Sequence, residues 1–264
     1  MATAPAPQQL PLFYNDLQPL SSQVHGEYRV RALDSAPFLA NQHAVPLTVE
    51  EFPLVQRRMP IVFASGDDPV PLALMGLNEG VNVYLTDEGK LVDNETYVPA
   101  YVRRYPYMLA KLRPDTDELS LCFDPSSDAI GAFEEGDKLF ENGEPTEITK
   151  AILGFAEQFE QAGQRTAAFV KEIKEAGLLI EGEVAIQPEG AAQPFVYRGF
   201  QMIDEKKLTE LRGDQLRKMA QSGMLPLIYA HLFSLSLMRD LFAKQVALGK
   251  APQQPSAIET ADVI

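Results

Sequence analysis

Pro145-Thr146-Glu147-Ile148-Thr149-Lys150-Ala151-Ile152-Leu153-Gly154-Phe155-Ala156-Glu157-Gln158-Phe159 is where the chain changes character. Ile148, Ile152, Phe155 and Phe159 recur at spacings of four, three and four, which stacks them on one face of an α-helix, and Pro145 suits a first helical turn. A second helix is predicted to begin at Thr166 as its cap, to carry Phe169, Val170 and Ile173, and to stop at Gly177, giving an antiparallel helix pair. Further on, Asp204 is placed to cap 205–211 and Asp214 to cap 215–221, and a last helix is predicted from Leu225 to Leu248.

Upstream of Pro145 the period is that of strands. Short extended runs (28–33, 60–64, 72–77, 81–85, 107–112 and 119–123) are separated by Pro, Gly and Asp. Thr86-Asp87-Glu88-Gly89 is predicted to close a hairpin, because Gly89 tolerates the positive φ that a tight turn needs. Two more extended runs, 178–180 and 194–197, follow the helix pair and are free to pair with each other or with the first sheet. The fold class is therefore α+β: a mixed or antiparallel sheet from the N-terminal half, with a helical C-terminal half packed on it. The domain expected is a single one over 21–248, sheet-rich over 21–144 and helix-rich over 145–248. Pro-, Gln- and Ala-rich flexible tails are expected at 1–20 and 249–264.

A chain of 264 residues with 45% apolar side chains buries a core without disulfides or metals. Its formal charge of −14 argues against non-specific binding to nucleic acid or to anionic membranes, both of which need clustered Lys and Arg. The longest apolar stretch, 224–238, is too short to span a bilayer and contains Pro226 and His231, so no integral membrane insertion is expected. The N-terminal segment has no Lys or Arg before Arg29 and no apolar run of the secretory kind. Cytoplasmic residence is the expectation, with signal-less secretion to the cell surface, read from the aliphatic and acidic end Ile258 to Ile264, as the alternative.

The densest cluster of recognition chemistry is Tyr97-Val98-Pro99-Ala100-Tyr101-Val102-Arg103-Arg104-Tyr105-Pro106-Tyr107. Guanidinium groups bind carboxylates and phosphates in planar pairs, and tyrosines can stack beside them, so Arg103, Arg104, Tyr105 and Tyr107 are the candidate ligand-binding residues. If the segment is a strand, the two arginines face opposite sides and one alone enters a pocket. The structural reading is pairing with some of the chain's 37 carboxylates. The same composition also marks protein contact surfaces.

His231 and Ser234 share a helix face, as a base and a hydroxyl nucleophile would, though no acidic orienter is assigned; a histidine among Tyr229, Leu232 and Phe233 is also a natural core residue. His25-Gly26-Glu27 supplies the His-x-carboxylate half of a facial triad for non-haem iron, with His43 or His231 required as third ligand. Cys122, between Leu121 and Phe123, reads as buried and inert. Asp67-Asp68 and Glu134-Glu135-Gly136-Asp137 lack the spacing of a calcium loop. There is no glycine-rich phosphate cradle and no Gly-x-Ser-x-Gly elbow. No cofactor is expected.

The 97–107 segment, Pro60-Ile61-Val62-Phe63, Leu139-Phe140 before Gly143-Glu144-Pro145-Thr146, Gly199-Phe200, and Tyr229-Ala230-His231-Leu232 before Ser234-Leu235 together resemble the SapC family, from about Leu10 to Lys244. The family is named for a bacterial surface-layer system. The resemblance implies an accessory or binding protein with a protein partner, in surface-layer biogenesis or export; relatives encoded near TonB-dependent receptors and halogenase-like or cupin-like proteins imply uptake of a surface nutrient instead. It attaches no catalytic residues. The alternative is an enzyme or enzyme subunit acting on a glycan, peptide or aromatic substrate, through a pocket containing His231 and Arg103 or Arg104. A homodimer is compatible with apolar area left exposed by the 97–107 segment or the last helix.

Overall fold

The computed structural model describes residues 10–250 except 114, 116 and 189–192. Of the expected tails, residues 1–9 and 251–264, with Ile258 to Ile264 among them, lie outside the described residues. The fold is α+β with antiparallel strand pairing in every described sheet. It divides into two compact units, each assembled from two stretches of chain: 1–34 with 104–160, and 35–103 with 161–264.

In the first unit Gln18–Pro19, Leu119–Phe123 and Tyr107–Lys111 form one sheet, and Ile130–Gly131, Arg29–Val30 and Asp137–Lys138 another. A two-residue hairpin joins Phe140–Glu141 to Glu144–Pro145; Asn142 and Gly143 both take positive φ, 52° and 82°, the pattern that an Asn-Gly turn accommodates. Pro145 thus closes a strand pair, and the helix starts two residues later. The core is Tyr107, Phe123, Ile130, Leu139 and Phe140, with Ile148 and Ile152 of the helix packed on it.

The expected helix pair is a single helix, Glu147–Glu175. Thr166 does not cap it. Its hydroxyl donates to the Ala162 carbonyl one turn back at 2.7 Å and accepts from the Val49 amide at 3.0 Å. The inward-facing stripe that begins at Ile148 continues through Ala162, Thr166, Phe169 and Ile173, so the two helix glycines, Gly154 and Gly163, leave it intact and cost the helix only about 1 kcal/mol each. Gly177, at φ 68°, follows the helix end as expected.

The second unit is built on a five-stranded sheet ordered Leu179–Glu181, Phe200–Ile203, Ile61–Ala64, Pro71–Leu74, Ala44–Pro46. Two of these strands come from the second half of the chain, so the 178–203 runs complete the first-half sheet. Ile61–Ala64 and Leu72 to Leu74 are fully buried. The 81–85 run forms no strand; it leads into the predicted hairpin, where Thr86 donates to Lys90 and Leu85 bridges Leu91. Helix Met224–Ser234 packs on the sheet's Ile61–Ala64 and Phe200–Ile203 strands. The predicted last helix is broken by a 3-10 turn, Leu235–Leu237, before Met238–Ala247. Asp204 caps Glu205–Glu210 through the Lys206 and Lys207 amides, whereas Asp214 lies inside the first turn of Gly213–Gln221, which begins earlier than predicted.

Gly89 shows why the hairpin needs glycine. It sits at φ 78°, and a Cβ there would stand 2.4 Å from the Ala36 carbonyl carbon and the Pro37 nitrogen. Gly80, at φ 75°, has open space around it. Gly80→Ala should therefore cost about 1 kcal/mol, for backbone strain alone, and Gly89→Ala about 3 kcal/mol or more, since the Ala36 backbone must move as well. Urea unfolding of the two variants measures the difference, and equal losses would contradict it.

Candidate functional site

His231 and Ser234 lie on one face of helix Met224–Ser234, as their spacing requires, but that face is turned into the sheet. Both are fully buried. The His231 Nδ1 stands 2.9 Å from the Ile61 carbonyl oxygen, and the Ile203 amide donates to Nε2 at 3.0 Å. A carbonyl can only accept and an amide can only donate, so the imidazole is the neutral Nδ1–H tautomer. Ser234 accepts from the Ile61 amide at 2.9 Å and donates to the His231 carbonyl at 2.6 Å. The antiparallel register pairs Phe200 with Ala64 and Gln201 with Phe63. Continued two residues, it would set Ile203 opposite Ile61, and there the imidazole and hydroxyl take over the ladder's hydrogen bonds.

Burial pulls the His231 pKa down to about 4, with the Ile61 carbonyl acting in the opposite sense. Protonation would also set an Nε2–H against the Ile203 N–H. The pair is therefore a polar fastening between helix and sheet, with no face open to a substrate.

The four candidates of the 97–107 segment are separated by the fold. The segment is not a strand at the arginines: Ala100–Arg104 is a short helix, and the strand begins at Tyr107. Arg104 belongs to the first unit, where it is buried with its guanidinium 4.4 Å from the Phe159 ring centroid and 5.8 Å from that of Tyr14. Tyr105 packs edge-on against Tyr14. Tyr107 is in the core, its hydroxyl buried and its pKa raised by that burial. These three are packing residues of their unit.

Arg103 belongs to the second unit and is exposed. It lines an open groove of about 480 Å³ with Leu54, Arg57, Arg58, Glu95 and Tyr97. Its Nε donates to the Val98 carbonyl at 3.0 Å and its Nη2 to the Tyr97 hydroxyl at 3.2 Å, with the guanidinium over the Tyr97 ring. Tyr97 in turn donates to Glu51 Oε1 at 3.0 Å. Glu51 is buried and also accepts from the Ala100 amide at 2.6 Å and, on Oε2, from the Thr48 amide and hydroxyl, both at 2.9 Å. Four neutral donors hold this carboxylate, which ties the 97–100 turn to the 48–51 turn. Burial raises the Tyr97 pKa, the Glu51 charge and hydrogen bond add to the rise, and Arg103 opposes it.

Arg57, Arg58 and Glu51 are the residues that the sequence reading passed over. Thr48-Val49-Glu50-Glu51 has capping-box spacing, and that is the one local signal pointing to Glu51. Arg57-Arg58 repeats the Arg-Arg pair of 103–104, but nothing local brings the two pairs together.

The iron reading finds no support. His25 is buried against Phe123, its Nδ1 accepting from the Ser21 amide at 3.1 Å, while Glu27 is exposed. Among the described residues no group of three or more His, Cys, Asp or Glu is arranged to hold a metal, which covers His43, Asp67-Asp68 and the 134–137 acids as well. Cys122 is fully buried, and burial raises its thiol pKa. Among the described residues no helix is long and apolar enough to cross a membrane.

Two measurements test these assignments. The unfolded His231 titrates near 6.5 and the folded one near 4, so between those values the unfolded chain holds the extra proton. Its contribution to stability, up to about 3 kcal/mol, is complete above about pH 6.5 and is lost as the pH falls toward 4. NMR of the ring should show the Nδ1–H tautomer with no titration above about pH 5; a midpoint near 6.5 would contradict the fastening. Glu51→Gln turns an amide N–H toward a donor whichever way it is placed, and should cost about 2–4 kcal/mol in urea unfolding.

No curated protein and no solved structure matches the chain. The SapC family model matches residues 20–241, most of the chain's length. By that match, and with the sequence blocks that suggested the family placed in the two units just described, this chain belongs to the SapC family.

Proposed function

We propose that the chain is a non-catalytic accessory protein that binds a protein partner, in surface-layer biogenesis or export or in the uptake of a surface nutrient. The observation that supports this reading is the commitment of His231 and Ser234. The two side chains best suited to proton transfer and nucleophilic attack are fully buried and bonded to the backbone of Ile61 and Ile203. The Arg103 groove, which opens to solvent, presents guanidinium, phenol and carboxylate groups, a surface suited to recognition. The enzyme reading requires His231 in a pocket with Arg103 or Arg104. His231 does not line the Arg103 groove, and Arg104 packs between Tyr14 and Phe159 within its own unit.

Metal analysis and a thermal-shift screen of the purified, tag-free protein, followed by affinity capture from its native source, test the proposal. The expected result is a metal-free protein whose unfolding midpoint is indifferent to metals, nucleotides, amino acids, sugars and 2-oxoacids, and which retains a specific protein partner. A bound transition metal, or stabilisation that grows with the concentration of one small-molecule class, would favour the enzyme reading instead.

A further inference from the structure

The groove's charge runs against that of the molecule. Three arginines, Arg57, Arg58 and Arg103, face one lining carboxylate, Glu95, on a chain of formal charge −14. Arg58 is engaged by Glu95 at 2.7 Å and Asp93 at 3.6 Å, and Arg103 by Val98 and Tyr97. The exposed Arg57 guanidinium makes no hydrogen bond or ion pair with any described residue. Leu54, three positions before it and 47% exposed, sets an apolar surface beside that charge.

We propose that this groove docks an extended acidic segment of a protein partner, with an Asp or Glu carboxylate on Arg57 and a neighbouring aliphatic side chain on Leu54. The inference rests on the reading of the chain as a protein-binding accessory. Charge complementarity selects the occupant: an acidic segment is repelled by the net charge of the molecule and is attracted at this groove. The openness of the groove favours a peptide over a small carboxylate, because small-molecule sites enclose most of their ligand, whereas arginine and tyrosine on an open surface are typical of protein interfaces. The Tyr97 part of the groove lining is already ordered. Tyr97 is held by Glu51 and braced by Arg103, so docking does not have to immobilise it.

Selection of a random peptide phage library on the immobilised full-length chain tests this, with Arg57→Glu and Leu54→Lys as groove variants and the exposed Arg217→Glu as control. Recovered peptides should be enriched in Asp or Glu beside an aliphatic residue. Their Kd should weaken more than ~10-fold in R57E, follow in L54K, stay unchanged in R217E, and weaken as NaCl is raised from about 50 to about 500 mM. All three side chains are exposed, and unchanged unfolding midpoints confirm that the variants fold. Peptides without acidic enrichment, an R57E variant that binds like R217E, or inorganic phosphate or acetate displacing the peptides at their own Kd would each overturn the inference. A captured protein partner whose binding is indifferent to R57E removes the groove and leaves the accessory reading standing. Failure to recover any peptide, together with failure to capture any partner, removes both.

Discussion

The second unit depends on a hydrogen-bonding problem at Ile61. This residue opens the fully buried central strand of the five-stranded sheet, and its amide and carbonyl must find partners away from water or cost about 1–3 kcal/mol each. The partner strand supplies ladder bonds at the Ala64 end of the pair. At the Ile61 end helix Met224–Ser234 supplies them instead: Ser234 meets the amide, and His231 bridges the Ile61 carbonyl to the Ile203 amide. One helical turn thus fixes the helix against two strands and sets both depth and rotation, which an apolar contact alone leaves loose. A helix with so little amphipathic asymmetry, where Leu225, Leu227, Ile228, Ala230 and Phe233 surround the axis, has particular need of such a polar key.

Glu51 solves a related problem for the loops. Among the described residues its buried carboxylate meets four neutral donors and no cation at hydrogen-bond distance, so two irregular turns far apart in sequence become one piece of structure. The groove inherits its shape from that knot. Tyr97 is fixed by Glu51, Arg103 is laid over Tyr97, and Arg57 and Arg58 follow helix Phe52–Val55, which begins at the residue after Glu51. Chemistry buried at Glu51 therefore determines which charges are presented at the surface.

Taken together, these two polar centres separate architecture from recognition. The residues with catalytic potential hold the sheet, and the residues with binding potential stand on a wall that a buried carboxylate makes rigid. This member of the SapC family presents a groove lined by arginine and tyrosine and holds a histidine that stays neutral across ordinary pH.

The sequence by itself determined the elements whose causes are local. The 3.6-residue stripe at 148–159, the Gly89 hairpin, the Asp204 cap and the strand runs at 61–64, 107–111 and 119–123 were legible because side-chain periodicity and turn chemistry act over a few residues. Thr166 misled because a hydroxyl that can cap a helix can equally bond its own preceding turn, and what decides is the Val49 amide, which only the fold brings to it. The same holds for the site. His231 and Ser234 were identifiable as a pair, but whether a base and a hydroxyl face substrate or strand depends on what covers them. Tertiary structure alone decided that Arg103 joins Arg57 and Arg58 while Arg104 packs between Tyr14 and Phe159, because adjacent residues on a helix point about 100° apart and each then meets whatever distant segment has been folded beside it.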